Sequence, residues 1–256
     1  MRIRYIFLFL LIGFVFLSCT SRKKILYFQN KLGNDSLANF IYQKPVYLLK
    51  AGDILYINIA SINQEVVNVF NINSTTNASS YYSDASLFVN GYSVNDSGFV
   101  DIPVIGSVKV DGIRLSEARN LIQKQVDMYL KDATAIVKLL SFKITVLGEV
   151  GRPGVYSNYN ENITVLEAIG MAGDITDYGD KTDVLVVRPS MDGNEIYRMD
   201  LTDINLLTKE GYFLLPNDIV YIEPLRLKAF RMNTPNISII LSIISTLILI
   251  IRFVQP

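Results

Sequence analysis

The C-terminal stretch Ile237–Val254 constrains this chain most, because it is apolar over 18 residues and carries a single charge, Arg252. It follows Pro235, a residue that is accepted at the start of a helix but breaks a helix interior. As an α-helix the stretch would be about 27 Å long, close to the hydrocarbon thickness of a bilayer. We therefore predict a C-terminal transmembrane helix over residues 236–254.

The polar residues of this stretch share one side of the predicted helix. Four of them lie at positions i, i+4, i+7 and i+14, and the other faces carry Ile and Leu: Ser238, Ser242, Ser245 and Arg252. In a ring of helices this side would line a polar passage, so the four residues are pore-lining candidates. In a simple tail anchor, each hydroxyl would instead bond a carbonyl one turn earlier in its own helix. The stretch alone does not decide between these two interpretations.

Composition excludes several classes of protein. The 256 residues allow one large or two small domains besides membrane segments, and 24 basic residues balance 24 acidic ones, which argues against a nucleic-acid partner. There is no histidine, so Ser-His, Cys-His and His-metal chemistry are excluded. The one cysteine excludes an internal disulfide and a Cys-rich zinc site. We predict neither metal nor cofactor.

The N-terminus has the layout of an export signal. Arg2 and Arg4 precede an apolar run over residues 6–17, which is too short to span a bilayer comfortably. The only cysteine, Cys19, follows Ser18 at the expected cleavage position. The surrounding residues resemble a bacterial lipobox, and this resemblance implies cleavage before Cys19 and a diacylglycerol on its sulfur. The alternative is an incidental cysteine in an ordinary signal. We assign residues 1–18 to a signal peptide and 19–46 to a lipidated N-terminus and tether.

Residues 47–141 have the pattern of a small β-rich domain with one packed helix. Gly52 and Asp53 form a turn signal before alternating apolar residues that predict a strand. Residues 71–86 are rich in Asn and Ser and predict a loop. Residues 115–130 change to a helical period, with an apolar face and with Ser116 placed to cap, and residues 133–140 predict another strand. The predicted fold class is α+β.

Residues 142–226 predict a second domain, of β-grasp type. Two strands flank Pro153 and Gly154, which suit the central positions of a type II turn. Residues 164–172 predict a short helix with a capping box, and the last strand follows Asp218. Residues 212–222 match residues 47–57 without gaps at six of eleven positions. This repeat indicates two related pieces in series, although a turn followed by Asp and a strand is also a common local pattern.

Other polar residues have plainer explanations. Four aspartates recur at every third residue and suggest a calcium site, but they lack the ligand spacing and central glycine of an EF-hand: Asp174, Asp177, Asp180 and Asp183. We interpret them as a solvated loop face. Glu149 has no identifiable partner acid, so we read it as a turn residue and not as a catalytic carboxylate. A polymer-modifying enzyme is disfavoured because no catalytic constellation can be assembled.

Four motifs in this order resemble the outer-membrane polysaccharide export lipoproteins of the Wza type. YLLKAGDILYI at 47–57 and GFVDIPVIG at 98–106 resemble the polysaccharide export domain. VLGEVGRPGVY at 146–156 and LPNDIVYI at 215–222 resemble a soluble-ligand-binding β-grasp (SLBB) domain, of which one copy is evident. Gly52, Asp53, Gly148, Pro153, Gly154 and Asp218 are the structural positions of these motifs.

The resemblance implies a function in transport and not in catalysis. A ring of identical subunits would pass capsular or exopolysaccharide through the outer membrane of a Gram-negative bacterium, with most of each chain in the periplasm. The implied partners are other copies of the chain, the polymer in transit, membrane lipid and an inner-membrane polysaccharide co-polymerase or tyrosine kinase. The alternative is a periplasmic polysaccharide-binding or scaffold lipoprotein with a plain tail anchor.

Overall fold

The computed structural model describes residues 26–29, 44–62, 68–71, 90–190, 193–226, 228 and 237–254. In the last of these ranges, only the side chains of residues 239, 241–250 and 253 are described. The signal peptide, Cys19, most of the tether and residues 72–86 of the expected loop lie outside the described residues. The description below is therefore of two domains and a C-terminal helix.

The first domain is a small sheet covered by one helix. Its strands are β1 Ile54–Ser61, β2 Tyr92–Ser93, β3 Phe99–Ile102, β4 Gly106–Lys109 and β5 Ala133–Leu139, and its helix is α1 Leu115–Val126. The strands β2, β1 and β5 form an antiparallel sheet in that order, and β3 pairs with β4 as a hairpin. Ala118, Ile122 and Val126 of α1 are fully buried against this sheet. The predicted helix and strands are thus present.

Two details of helix α1 differ from the prediction. Ser116 does not cap the helix: the N-cap is Arg114, whose backbone N–H donates to the carboxylate of Glu117 at 3.0 Å. Glu117 accepts this N–H because it lies three positions further on, where a side chain reaches back to the first turn. The spacing also predicts Leu121 and Tyr129 on the apolar face, but Leu121 is 40% exposed and Tyr129, which is 52% exposed, lies beyond the end of the helix.

The second domain is a five-stranded sheet with a short helix. Its elements are β6 Lys143–Gly148, β7 Gly154–Ser157, β8 Ile163–Thr164, α2 Val165–Met171, β9 Gly179–Ser190, β10 Gly193–Met199, a 3₁₀ helix Ile204–Thr208, β11 Phe213–Leu214 and β12 Ile219–Pro224. The sheet order is β10-β9-β12-β6-β7, with β12 parallel to β6 and the other pairs antiparallel. The predicted capping box of α2 is confirmed, because Thr164 Oγ1 accepts from the Glu167 N–H at 3.2 Å.

The turn between β6 and β7 is not the type II turn that Pro153 and Gly154 predict. Gly154 is the first residue of β7, where it pairs with Val146, and its φ is not positive. The positive φ lies at Gly148, at +92°, where β6 ends. A Cβ on Gly148 would stand 2.0 Å from the carbonyl oxygen of Ile222 in β12, so the close approach of these two strands requires glycine.

The two domains have separate hydrophobic cores, which Leu139 at the end of β5 connects by packing against both. After β12 the chain reaches helix α3, Ile237–Val254, whose bounds agree with the predicted helix. No helix among the described residues has both the length and the apolar character needed to cross a membrane. The α+β class is confirmed, and the membrane-spanning role of α3 stays a prediction.

Candidate functional site

The repeat noticed in the sequence forms two similar turns, the first of which is built on Asp53. The side chain of Asp53 is almost fully buried and accepts hydrogen bonds from three donors. The Tyr47 hydroxyl donates to both carboxylate oxygens, at 2.9 and 3.0 Å, and the Ser141 hydroxyl donates at 3.1 Å. The backbone N–H of Lys50 donates at 3.0 Å. Burial and the facing Asp53 charge raise the pKa of Tyr47 far above its usual value, so Tyr47 stays a neutral donor.

The second turn is built on Asp218, which is fully buried and paired with a cation. Arg188 donates from Nη2 at 2.7 Å and from Nε at 3.1 Å, and the backbone N–H of Leu215 donates at 2.8 Å. Arg188 also donates to the carbonyl of Phe213, so the guanidinium ties β9 to β11. Burial alone would lower the pKa of Arg188, but the hydrogen bonds and charge of Asp218 raise it.

The backbone of the two turns is the same. In each, the aspartate N–H donates at 3.1 Å to the carbonyl three residues earlier, which belongs to Lys50 or to Leu215. The residue before the aspartate has a positive φ in both, +86° at Gly52 and +72° at Asn217. Glycine and asparagine are the residues that adopt this conformation most readily. The two repeated stretches of sequence therefore form the same backbone turn.

The two turns lie beside one cleft of about 460 Å³ between the domains. Tyr47 of the first turn and Leu215 and Pro216 of the second line it, and Leu139 forms part of its apolar wall. Three exposed cations of the first domain also lie along it: Arg114, Arg119 and Lys138. The structural positions Asp53 and Asp218 thus act indirectly, by shaping the turns that border this cleft.

The partners of the two aspartates were missed by sequence reasoning. Ser141 and Arg188 lie 88 and 30 residues from the aspartates they bind, so no local pattern points to them. Tyr47 belongs to the motif at 47–57, but its hydrogen bond to Asp53 was not predicted. The repeated tyrosine before each aspartate was the available signal for it.

The pore-lining candidates are described only in part. The Ser245 hydroxyl donates to the carbonyl of Ser242 at 2.9 Å, and the Thr246 hydroxyl donates to the same carbonyl at 2.8 Å. Nothing is described for the side chains of Ser238 and Arg252. The hydroxyls of Ser245 and Thr246 therefore bond within their own helix, as the tail-anchor interpretation expects.

Glu149 and two of the four aspartates that suggested other chemistry have structural contacts. Glu149 accepts from the Thr176 hydroxyl at 2.9 Å and from Lys228. Asp180 accepts from the backbone N–H and the hydroxyl of Thr182, and Asp183 pairs with Arg198. Within the described ranges, no three acidic or sulfur-bearing side chains stand close enough to hold a metal ion.

Comparison with known proteins assigns the two domains. Residues 42–140 match the family model described as polysaccharide biosynthesis/export protein, and residues 142–222 match the SLBB domain. These ranges coincide with the two domains of the fold. The chain belongs to the polysaccharide export protein family.

Two relatives carry the name EPS I polysaccharide export outer membrane protein EpsA. The protein of Ralstonia nicotianae is 31% identical over 161 residues, which is 60% of this chain and 42% of that protein. The protein of Ralstonia solanacearum is 30% identical over 148 residues, which is 56% of this chain and 39% of that protein. The match thus spans less than half the length of these relatives.

Proposed function

We propose that the chain is a subunit of an outer-membrane channel that passes capsular or exopolysaccharide from the periplasm to the cell surface. The observation that carries the proposal is the export domain at 42–140 followed directly by an SLBB domain at 142–222. The names of the two Ralstonia relatives agree with it. Identical copies would close a ring, an inner-membrane co-polymerase or tyrosine kinase would drive the polymer, and no bond would be made or broken.

In this proposal both ends of the chain reach the outer membrane. The lipid on Cys19 would insert into the inner leaflet, and helix α3 would complete a barrel of helices. Eight of the twelve described side chains of α3 are Ile or Leu, and all twelve are exposed. An exposed apolar helix needs lipid or other copies around it, because water would leave that surface unfavourably hydrated. Ser238, Ser242, Ser245 and Arg252 would face the passage.

The second candidate is a periplasmic polysaccharide-binding or scaffold lipoprotein with a plain tail anchor. The contacts of Ser245 and Thr246 with the Ser242 carbonyl favour it, because a hydroxyl that is satisfied within its own helix does not require a wet lumen. The two candidates share the domains and the localisation. They differ in assembly and in what the polar side of α3 contacts.

The native mass of the full chain, extracted gently from outer membranes, separates the two candidates. The channel predicts one closed multimer that is lost when residues 237–254 are deleted. A monomer or dimer that keeps its fold would leave only the anchored binding protein.

A second measurement asks what the polar side of α3 does. The channel predicts that replacing Ser242 and Ser245 together by Leu lowers polymer export at least tenfold without lowering protein level. Leu247→Ile on the opposite side is the matched control. Normal export by the double variant would contradict a polar passage lined by these residues.

A further inference from the structure

The short N-terminal segment at residues 26–29 is docked on the second domain. The backbone N–H of Phe28 donates to the carbonyl of Leu201 at 3.3 Å, and that of Gln29 donates to Thr202 at 2.6 Å. In the sequence, the expected lipid site lies eight residues before Tyr27, which belongs to this segment. Its docking site lies just beyond the end of β10.

Tyr27 is the side chain that holds this segment. Its hydroxyl donates to a carboxylate oxygen of Asp174, and the ammonium of Lys181 lies 4.2 Å from the centre of its ring. Burial and the Asp174 carboxylate raise the pKa of Tyr27, so its hydroxyl keeps its proton. The aspartate that suggested a calcium loop in the sequence is thus a receptor for the N-terminal segment.

A second contact holds the start of the C-terminal connector, which is the part of the chain between β12 and α3. The Lys228 ammonium pairs with the Glu149 carboxylate, and this hydrogen bond lowers the pKa of Glu149 below its usual value. Nearby, the backbone N–H of Leu225 donates to the carbonyl of Tyr178 at 2.7 Å. The chain is therefore fixed to the second domain just before it leaves for α3.

Both carboxylates stand on one backbone bridge. Val150 and Ile175 pair as an isolated antiparallel bridge, with Glu149 directly before the first and Asp174 directly before the second. The bridge consists of two hydrogen bonds, from Gly151 N–H to Asp174 O at 2.9 Å and from Thr176 N–H to Glu149 O at 3.0 Å. A shift of either strand of the bridge would move both carboxylates.

The bridge lies at the end of the second domain away from the first. It follows the C-terminal end of β6, whereas the N-terminal end of β6 adjoins Phe142, which lines the cleft between the domains. The six residues of β6 separate these two ends by about 20 Å. The N-terminal segment and the C-terminal connector are thus both held at this end of the second domain.

We propose that the Val150/Ile175 bridge and its two carboxylates form a clasp that couples the N-terminal segment to the C-terminal connector. If Cys19 is lipidated, as the proposed function requires, the clasp also sets a distance. Docked at Tyr27, the tether spans eight residues, or at most about 28 Å, between the lipid and the domain. Undocked, it would run from Cys19 to Lys44, or up to about 85 Å. The clasp therefore holds one end of the second domain near the lipid surface.

Hydrogen exchange of the full chain, read by mass spectrometry, tests the clasp. Tyr27→Phe keeps the ring but removes the hydroxyl bond to Asp174, so the amides of Phe28 and Gln29 should exchange about fivefold to tenfold faster. Tyr159→Phe is the matched control, because Tyr159 is 70% exposed. Unchanged exchange in the core strands would establish that both variants fold.

Coupling is tested by a variant at the other contact. Lys228→Met should speed exchange at Leu225 and also, by about twofold, at Phe28 and Gln29, while Lys138→Met, an exposed lysine of the first domain, should change neither. Wild-type exchange at Phe28 and Gln29 in Lys228→Met would overturn the coupling. Exchange of these amides at the rate of an unfolded peptide in the unmodified chain would overturn the docking itself. Neither readout depends on ring formation or export, so a monomeric native mass would refute the proposed function and leave the clasp standing.

Discussion

The turns at Asp53 and Asp218 have one backbone and two different ways of stabilising a buried carboxylate. Each aspartate accepts from the backbone N–H three residues earlier, and each turn has a positive φ before the aspartate. The other hydrogen bonds to the Asp53 carboxylate come from neutral hydroxyls, those of Tyr47 and Ser141. The other hydrogen bonds to the Asp218 carboxylate come from the charged guanidinium of Arg188. Local backbone geometry and charge compensation are therefore independent features of the motif.

The difference has an energetic consequence. When the carboxylate is neutralised, a neutral donor loses one charge-assisted hydrogen bond, whereas the mostly buried guanidinium of Arg188 loses the carboxylate with which it forms an ion pair. Hydrogen bonds to charged groups are worth about 1.5–3 kcal/mol, and breaking a buried ion pair on one side costs about 3–5 kcal/mol. The second domain should therefore depend on its aspartate more than the first domain does.

The largest effect is expected for the two asparagine variants. Asp218→Asn should lower the free energy of unfolding of the second domain by about 3 kcal/mol, because Arg188 keeps its charge but loses the carboxylate with which it forms an ion pair. Asp53→Asn should lower that of the first domain by about 1 kcal/mol, since its amide oxygen can still accept from Tyr47. The urea dependence of hydrogen exchange, read separately for peptides of each domain, measures both values.

The control for this pair is Asp96→Asn, on an exposed turn of the first domain. It should change neither domain by more than about 0.5 kcal/mol. Equal losses for Asp53→Asn and Asp218→Asn would show that the Arg188 charge adds nothing to its hydrogen bonds, and the distinction between the two turns would fail.

A smaller effect, with a distinctive pH dependence, is expected for Tyr47→Phe. At neutral pH it should cost the first domain about 1.5 kcal/mol, because Asp53 loses a donor to both oxygens. The folded-state pKa of Tyr47 is raised, so the stability it contributes is complete below pH ~10, where the unfolded tyrosine ionises, and is lost as pH rises further. Above pH ~10 the difference in the free energy of unfolding between the wild-type protein and the variant should therefore shrink by about 1.4 kcal/mol per pH unit.

Alkaline titration of exchange in the first-domain peptides measures this convergence. Tyr56→Phe provides a control in β1 itself, where the residue lies on the half-exposed side of the strand. A constant difference between wild type and Tyr47→Phe from pH 7 to pH 11 would contradict the burial and charge contacts assigned to Tyr47.

Sequence patterns predicted the structural features that depend on residues close to one another along the chain. The capping box of α2, the hairpin strands β3 and β4 and the apolar face of α1 follow from local spacing, and all are present. The type II turn at Pro153 was also a local prediction, and it was wrong because Gly154 already belongs to β7, where it pairs with Val146. The positive φ lies at Gly148, where the neighbouring Ile222 carbonyl also leaves no room for a Cβ.

The parts that could not be predicted depend on distant residues. Arg188 reaches Asp218 because β9 and β12 are neighbours in the sheet, an order that the sequence does not state. Tyr27 reaches Asp174 across 147 residues. The polar side of α3 was predicted from spacing, but the contacts of Ser245 and Thr246 within the helix depend on side-chain rotamers that spacing leaves open.

The smallest effect is expected at the position before each aspartate. Gly52 at φ +86° and Asn217 at φ +72° occupy the same place in the two turns, and nothing lies within 4 Å of a Cβ built on Gly52. Gly52→Asn should therefore change the stability of the first domain by less than about 0.5 kcal/mol, whereas Gly52→Ala should cost about 1 kcal/mol, because alanine adopts a positive φ less readily. Exchange-based unfolding free energies for the two variants compare them directly. Equal costs would mean that the turns share a hydrogen-bond pattern but not a conformational requirement.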